Sequence, residues 1–197
     1  AYAPSSAAAD SEVAQAESST RKDPQTATLL LMLADRYQMQ SRPQDAERLY
    51  KRSLAMFEET MGPRHPNVGT AAQKLAHLHY SLGAYDAAEP YYRRAISVFE
   101  RSLGAEHSNV SALVIELAGT YWLQGRLAEA ETEYKRAIAM LVKTRGTDDR
   151  SLDVARNGLA AVYRAQGRVN EAELASAPVV RNLTTRYGPV VLRQRNR

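Results

Sequence analysis

The sequence predicts an all-α protein built as an α-solenoid, and three observations carry that prediction. The chain repeats itself at a fixed interval: Ala46, Ala88, Ala130 and Ala172 stand 42 residues apart, each followed by a glutamate, Glu47, Glu89, Glu131 and Glu173. The pair Leu33-Ala34 returns at Leu75-Ala76, Leu117-Ala118 and Leu159-Ala160, and Gly62, Gly104, Gly146 and Gly188 keep the same step. Within each unit, apolar residues recur three or four apart in two separate stretches, the period of a helix face rather than a strand. Finally, the composition leans to Ala, Leu, Arg, Glu and Gln, residues that lose little on entering a helix.

Four units follow from the register, at 24–65, 66–107, 108–149 and 150–188. The first helix of a unit is clearest in NVGTAAQKLAHLHYSLG, where Val68, Ala72, Leu75, Ala76, Leu78 and Leu82 form the apolar set. Pro24 and Pro66 suit a first helical turn, where a missing N–H costs no hydrogen bond. Gly83, Gly125 and Gly167 then supply the positive φ that often follows a helix end. The second helix of repeat two spans about 85–103 and turns Tyr85, Ala88, Tyr92, Ala95, Ile96 and Phe99 inward. Glu47–Lys51, Glu89–Arg93 and Glu131–Lys135 are (i, i+4) pairs in the favourable order, each contributing about 0.2–0.5 kcal/mol. One such hairpin cannot bury its apolar face alone, whereas stacked hairpins share a continuous core. The alternative use of the paired bases is a phosphate-binding stripe.

Composition narrows the function. Without cysteine there is no disulfide framework, thiolate metal site or cysteine nucleophile. No apolar run approaches the roughly 20 residues that span a bilayer. The net charge of +4 resides at one end: no acid follows Glu173, and the five arginines beyond it leave 21 basic and 22 acidic residues elsewhere. A nucleic-acid-binding body would carry a basic face of its own, so nucleic acid is not the expected partner. His77 and His79 lie two apart on a helix and point in different directions, while His65 and His107 hold equivalent loop positions. With no phosphate-cradling glycine loop and no nucleophile elbow, no catalytic residue, metal ligand or cofactor is expected.

These residues resemble the tetratricopeptide repeats. Leu75, Ala76, Gly83, Tyr85, Ala88, Tyr92 and Ala95 stand at that family's small and aromatic positions. The usual unit has about 34 residues, and the longer unit here adds roughly two helical turns. In that respect it is similar to kinesin light chains, as EPYYRRAISVFERSLGAEHSNV and TMGPRHPNV also are. The resemblance implies a right-handed superhelix whose first helices line a concave groove that binds peptide segments of partner proteins. Transferred to this sequence, the groove comprises Thr28, Leu31, Asp35 and Gln38 in repeat one and Thr70, Gln73, His77 and Tyr80 in repeat two. Repeat three supplies Ala112, Ile115, Gly119 and Trp122, and repeat four Val154, Asn157, Ala161 and Arg164. Tyr80 and Trp122 are the expected anchors, with Arg164 for a carboxylate and Asn157 for peptide backbone; the alternative buries Trp122 between repeats. The asparagine pair by which kinesin light chains grip peptide is replaced by Leu31-Met32, Gln73-Lys74, Ile115-Glu116 and Asn157-Gly158. A motor-cargo or chaperone-tail role is therefore not carried over.

The ends are read separately. Residues 1–22 are an Ala/Ser-rich flexible leader with a short helix near 11–17, the solenoid spans 23–188, and 189–197 form a basic tail. Pro178 stands where Arg52, Arg94 and Arg136 stood, so the last helix is expected to break near 175–178. The first residue is Ala rather than Met; were a signal peptide removed there, the protein would be exported, and otherwise cytoplasmic. Two functions remain: an adaptor that binds a protein or peptide ligand in its groove, and a scaffold that self-associates into a homo-oligomer through its ends or tail.

Overall fold

The computed structural model describes residues 21–145 and 150–176. Residues 1–20 of the expected leader (1–22), Gly146, the break at Pro178, Gly188 and the tail at 189–197 lie outside the described residues.

Eight helices follow one another: α1 (Pro24–Met39), α2 (Pro43–Met61), α3 (Pro66–Ser81), α4 (Tyr85–Leu103), α5 (Ser108–Leu123), α6 (Leu127–Arg145), α7 (Arg150–Ala165) and α8 (Val169–Ser176). Each odd-numbered helix packs against the helix that follows it, and each even-numbered helix packs against the next odd one. Helices α5 and α7 also touch directly across the repeat boundary. The result is an α-solenoid of stacked hairpins, and among the described residues no strand occurs.

The helix starts have local causes. Asp23 Oδ1 accepts from the backbone N–H of Thr26 at 2.7 Å, capping α1. The equivalent loop positions are His65 and His107, whose Nδ1 atoms accept from Asn67 and Asn109 N–H at 3.2 Å. These two histidines are helix caps, which explains their recurrence at the repeat period. Between the two helices of a unit, Gly83, Gly125 and Gly167 adopt φ of 71°, 74° and 76°. In repeat one the same position is Ser41, forced to φ 58° without the freedom of a glycine.

The core is continuous along the stack. Leu33-Ala34 and its three counterparts are all buried, as are Ala46, Ala88, Ala130 and Ala172, where a larger side chain would hold neighbouring helices apart. Full burial of each leucine stabilises the fold by about 1.5–3 kcal/mol. Tyr50 and Tyr92 are sealed within the stack, and Ser53 settles its buried hydroxyl by donating to the Ala27 carbonyl at 2.7 Å. Leu82 departs from expectation: it caps α3 rather than belonging to its inner face, and is exposed.

Charged residues stitch successive repeats. The three (i, i+4) pairs form, at 2.6 Å for Glu47–Lys51 and Glu131–Lys135 and 2.9 Å for Glu89–Arg93. Arg94 pairs with Glu58 and Arg136 with Glu100, each across one repeat boundary. Arg168 lies 4.2 Å from the centre of the Tyr163 ring and 2.7 Å from Glu131, and Arg126 repeats that clamp on Tyr121 and Glu89. The bases once readable as a phosphate-binding stripe are thus neutralised by carboxylates of their own or the preceding hairpin.

Candidate functional site

The face formed by α1, α3, α5 and α7 carries the expected groove residues, each partly or largely exposed. A pattern spaced 39 residues apart organises it. Asp35 on α1 pairs with Lys74 on α3 at 2.9 Å, and His77 on α3 with Glu116 on α5, Nε2 to Oε2, at 2.6 Å. The next members of both series, Gly119 on α5 and Gly158 on α7, are glycines. The ladder of side chains therefore stops between repeats three and four.

Behind each rung stands a tyrosine from the second helix. Tyr50 donates its hydroxyl to Asp35 at 2.5 Å and lies 2.9 Å from the Gln38 side-chain amide. The Tyr92 ring packs against His77 at 5.8 Å between centroids. Burial first, then the Glu116 charge, pushes the Tyr92 phenol upward. Tyr134 meets no rung. Its ring covers the bare backbone of Gly158: a Cβ there would come within 2.4 Å of Cε1 and Cζ. On the other side, Gly119 leaves 3.5 Å between such a Cβ and the Tyr134 hydroxyl. Burial pushes the Tyr134 phenol up to about 12, with Tyr80 a smaller cause.

At the interrupted rung, where Gly119 carries no side chain, lies a cavity of about 440 Å³. His77, Tyr80, Ile115, Gly119 and Val154 of the expected groove meet there, joined by Tyr92, Glu116 and Tyr134. A second depression gathers Asp35 and Gln38 with Met39 and Lys74. The remaining expected residues are placed as follows. Leu31 is half-buried against the core, Thr70 donates to the Pro66 carbonyl at 3.3 Å, and Gln73 is half-buried on α3. Trp122 is 41% exposed on α5, one turn beyond Gly119, and so is not buried between repeats. Asn157 and Arg164 are exposed on α7 and lie outside the cavity lining.

Lys74, Glu116, Tyr92 and Tyr134 were not among the residues that sequence reasoning assigned to the groove. The tyrosines read as core because they are buried, yet both line the cavity. Lys74 and Glu116 sit beside the expected Gln73 and Ile115, and a search for opposite charges 39 apart would have found both pairs. Among the described residues, no group of three or more histidines or acids could hold a metal ion, and no helix is long and apolar enough to cross a membrane.

Hairpins of this length and register, stacked on small residues, define a class of helical repeat protein. The chain belongs to the tetratricopeptide repeat family, whose model matches residues 25–101 and 108–176. Its fold is similar to that of BtubC (BKLC) from P. vanneervenii, at 23% identity and TM-score 0.75, with 97% of this chain and 76% of that one covered. A kinesin-light-chain-type protein of Podosopora anserina with nearly identical TPR-like repeats matches at 24% identity and TM-score 0.73, covering 84% and 79%. MamA matches at 18% identity and TM-score 0.61, covering 86% and 82%. No curated protein sequence matches the chain. The tetratricopeptide fold is in general a scaffold for protein–protein interaction, and its modules are generally non-catalytic.

Proposed function

We propose that the chain is a non-catalytic adaptor that binds an extended segment of a partner protein along the face of α1, α3, α5 and α7. The observation that carries this reading is the interrupted ladder: a cavity lined in part by first-helix residues and bordered by Gly119, with the exposed aromatics Tyr80 and Trp122 on the same face. Large rigid aromatics give contact area at low entropic cost, and a concave site bordered by polar groups fixes orientation. Arg164 supports a carboxylate contact and Asn157 a contact to peptide backbone. Affinity in the micromolar range, about −8 kcal/mol, suits such recognition.

The test is a peptide array drawn from the protein's own proteome, probed with the parent and with a Trp122→Ala/Asn157→Ala variant of intact helical circular dichroism. Peptides bound by the parent and lost by the variant support the groove. Retention of every hit, or a parent that binds none, favours the self-associating scaffold instead.

A further inference from the structure

The central cavity pairs its carboxylate differently from its neighbour. In the depression between repeats one and two, Asp35 is matched by Lys74, a permanent cation at neutral pH. In the cavity the carboxylate is Glu116 and its partner is the His77 imidazole, a cation only when protonated. Glu116 is also more than one-third exposed at its side chain, so it is open to a further partner. Beside it stands the exposed Tyr80, with the buried Tyr92 and Tyr134 completing the lining, and an aromatic face carries negative quadrupole density. The remaining walls, Ile115 and Val154, are aliphatic.

From this geometry we infer that the cavity takes a basic side chain of the partner segment, arginine foremost. This rests on the groove reading and names its ligand chemistry. A guanidinium is planar and weakly hydrated, stacks on aromatic faces and pairs with carboxylates. The aliphatic stem of an arginine would lie against Ile115 and Val154 while its head reaches Glu116. A purely apolar side chain would fill the walls but leave Glu116 and the tyrosine hydroxyls facing hydrocarbon, which is unfavourable. An acidic side chain would meet Glu116 directly. The volume lies within the range of small-ligand sites, roughly 300–1,000 Å³.

The inference is tested by titrating the full chain, with ¹³C-labelled tyrosine rings, against N-acetyl-arginine amide and against its uncharged counterpart N-acetyl-norleucine amide. Arginine amide is expected to shift the Tyr80, Tyr92 and Tyr134 signals saturably, and norleucine amide to bind at least about tenfold more weakly. Glu116→Gln, which keeps an acceptor for His77, should weaken the arginine probe by a similar factor. Gly119→His, which returns a side chain to the interrupted rung, should abolish the shifts and serves if Glu116→Gln folds poorly. Equal shifts from norleucine, arginine affinity unaltered by Glu116→Gln, or no saturable shift from arginine each overturn the inference. Because the probe is a single blocked residue, these results are separable from the peptide-array outcome: array peptides lost by the Trp122 and Asn157 substitutions would sustain the groove even if the arginine probe failed.

Discussion

The ring of Tyr134 occupies the space in which a side chain on Gly158 would begin. A Cβ at Gly158 would lie 2.4 Å from the ring, whereas one at Gly119, on the other side of the same tyrosine, would lie 3.5 Å from its hydroxyl. Both glycines fall in helix interiors, yet one is required by contact and the other is not. That asymmetry lets the site be probed without ligand.

Alanine substitutions should separate the two. Gly158→Ala drives a methyl into the Tyr134 ring and is expected to destabilise the protein by about 1–3 kcal/mol. Gly119→Ala makes an ordinary contact and removes a helix-weakening glycine, so it should stabilise by about 0.5–1 kcal/mol. Urea melts of the two variants decide this. Equal effects of the same sign would contradict the packing described.

Ser41 supplies a second stability prediction. It holds φ 58° where the other repeats place glycine. Ser41→Gly should therefore stabilise by about 1 kcal/mol, since a residue with a Cβ pays roughly 1–2 kcal/mol in that region. An unchanged or lowered melting midpoint would show that the serine is not strained there.

Glu131 gives a pH dependence. Its carboxyl is held down to about 2, first by the hydrogen bond from Lys135, with Gln166 and Arg168 adding to it against the cost of burial. The folded pKa lies below the unfolded value of about 4.3, so this contribution is present above that pH and is lost as pH falls from about 5 towards 2. The melting temperature should drop through that window, and Glu131→Gln should flatten part of the drop. A variant that is as acid-sensitive as the parent would remove Glu131 from the account.

The fold was readable because each repeat writes its own constraints into local sequence. Leu33-Ala34, Ala46 and their counterparts fix the core, and the glycines at 83, 125 and 167 fix the turns, all by identity at one period. The site was readable only in part, because it depends on where the repeat departs from itself. Comparison along the period shows what stands at 119 and 158 but not that these positions face each other across Tyr134. Nor does helical periodicity reveal that a buried tyrosine can line the cavity. Leu82 failed for a simpler reason: the periodic pattern runs on past the last turn, where the chain has already left the helix.

The central claim is that a partner segment lies in the interrupted rung of the first-helix face. Its most direct measurement is calorimetric titration of a peptide selected on the array against the parent, Gly119→His, and Arg94→Ala on the second helices. The account predicts at least about tenfold weaker binding for Gly119→His, with Arg94→Ala binding as the parent does. Unchanged affinity in Gly119→His together with loss in Arg94→Ala would contradict it and move the binding surface to the second helices.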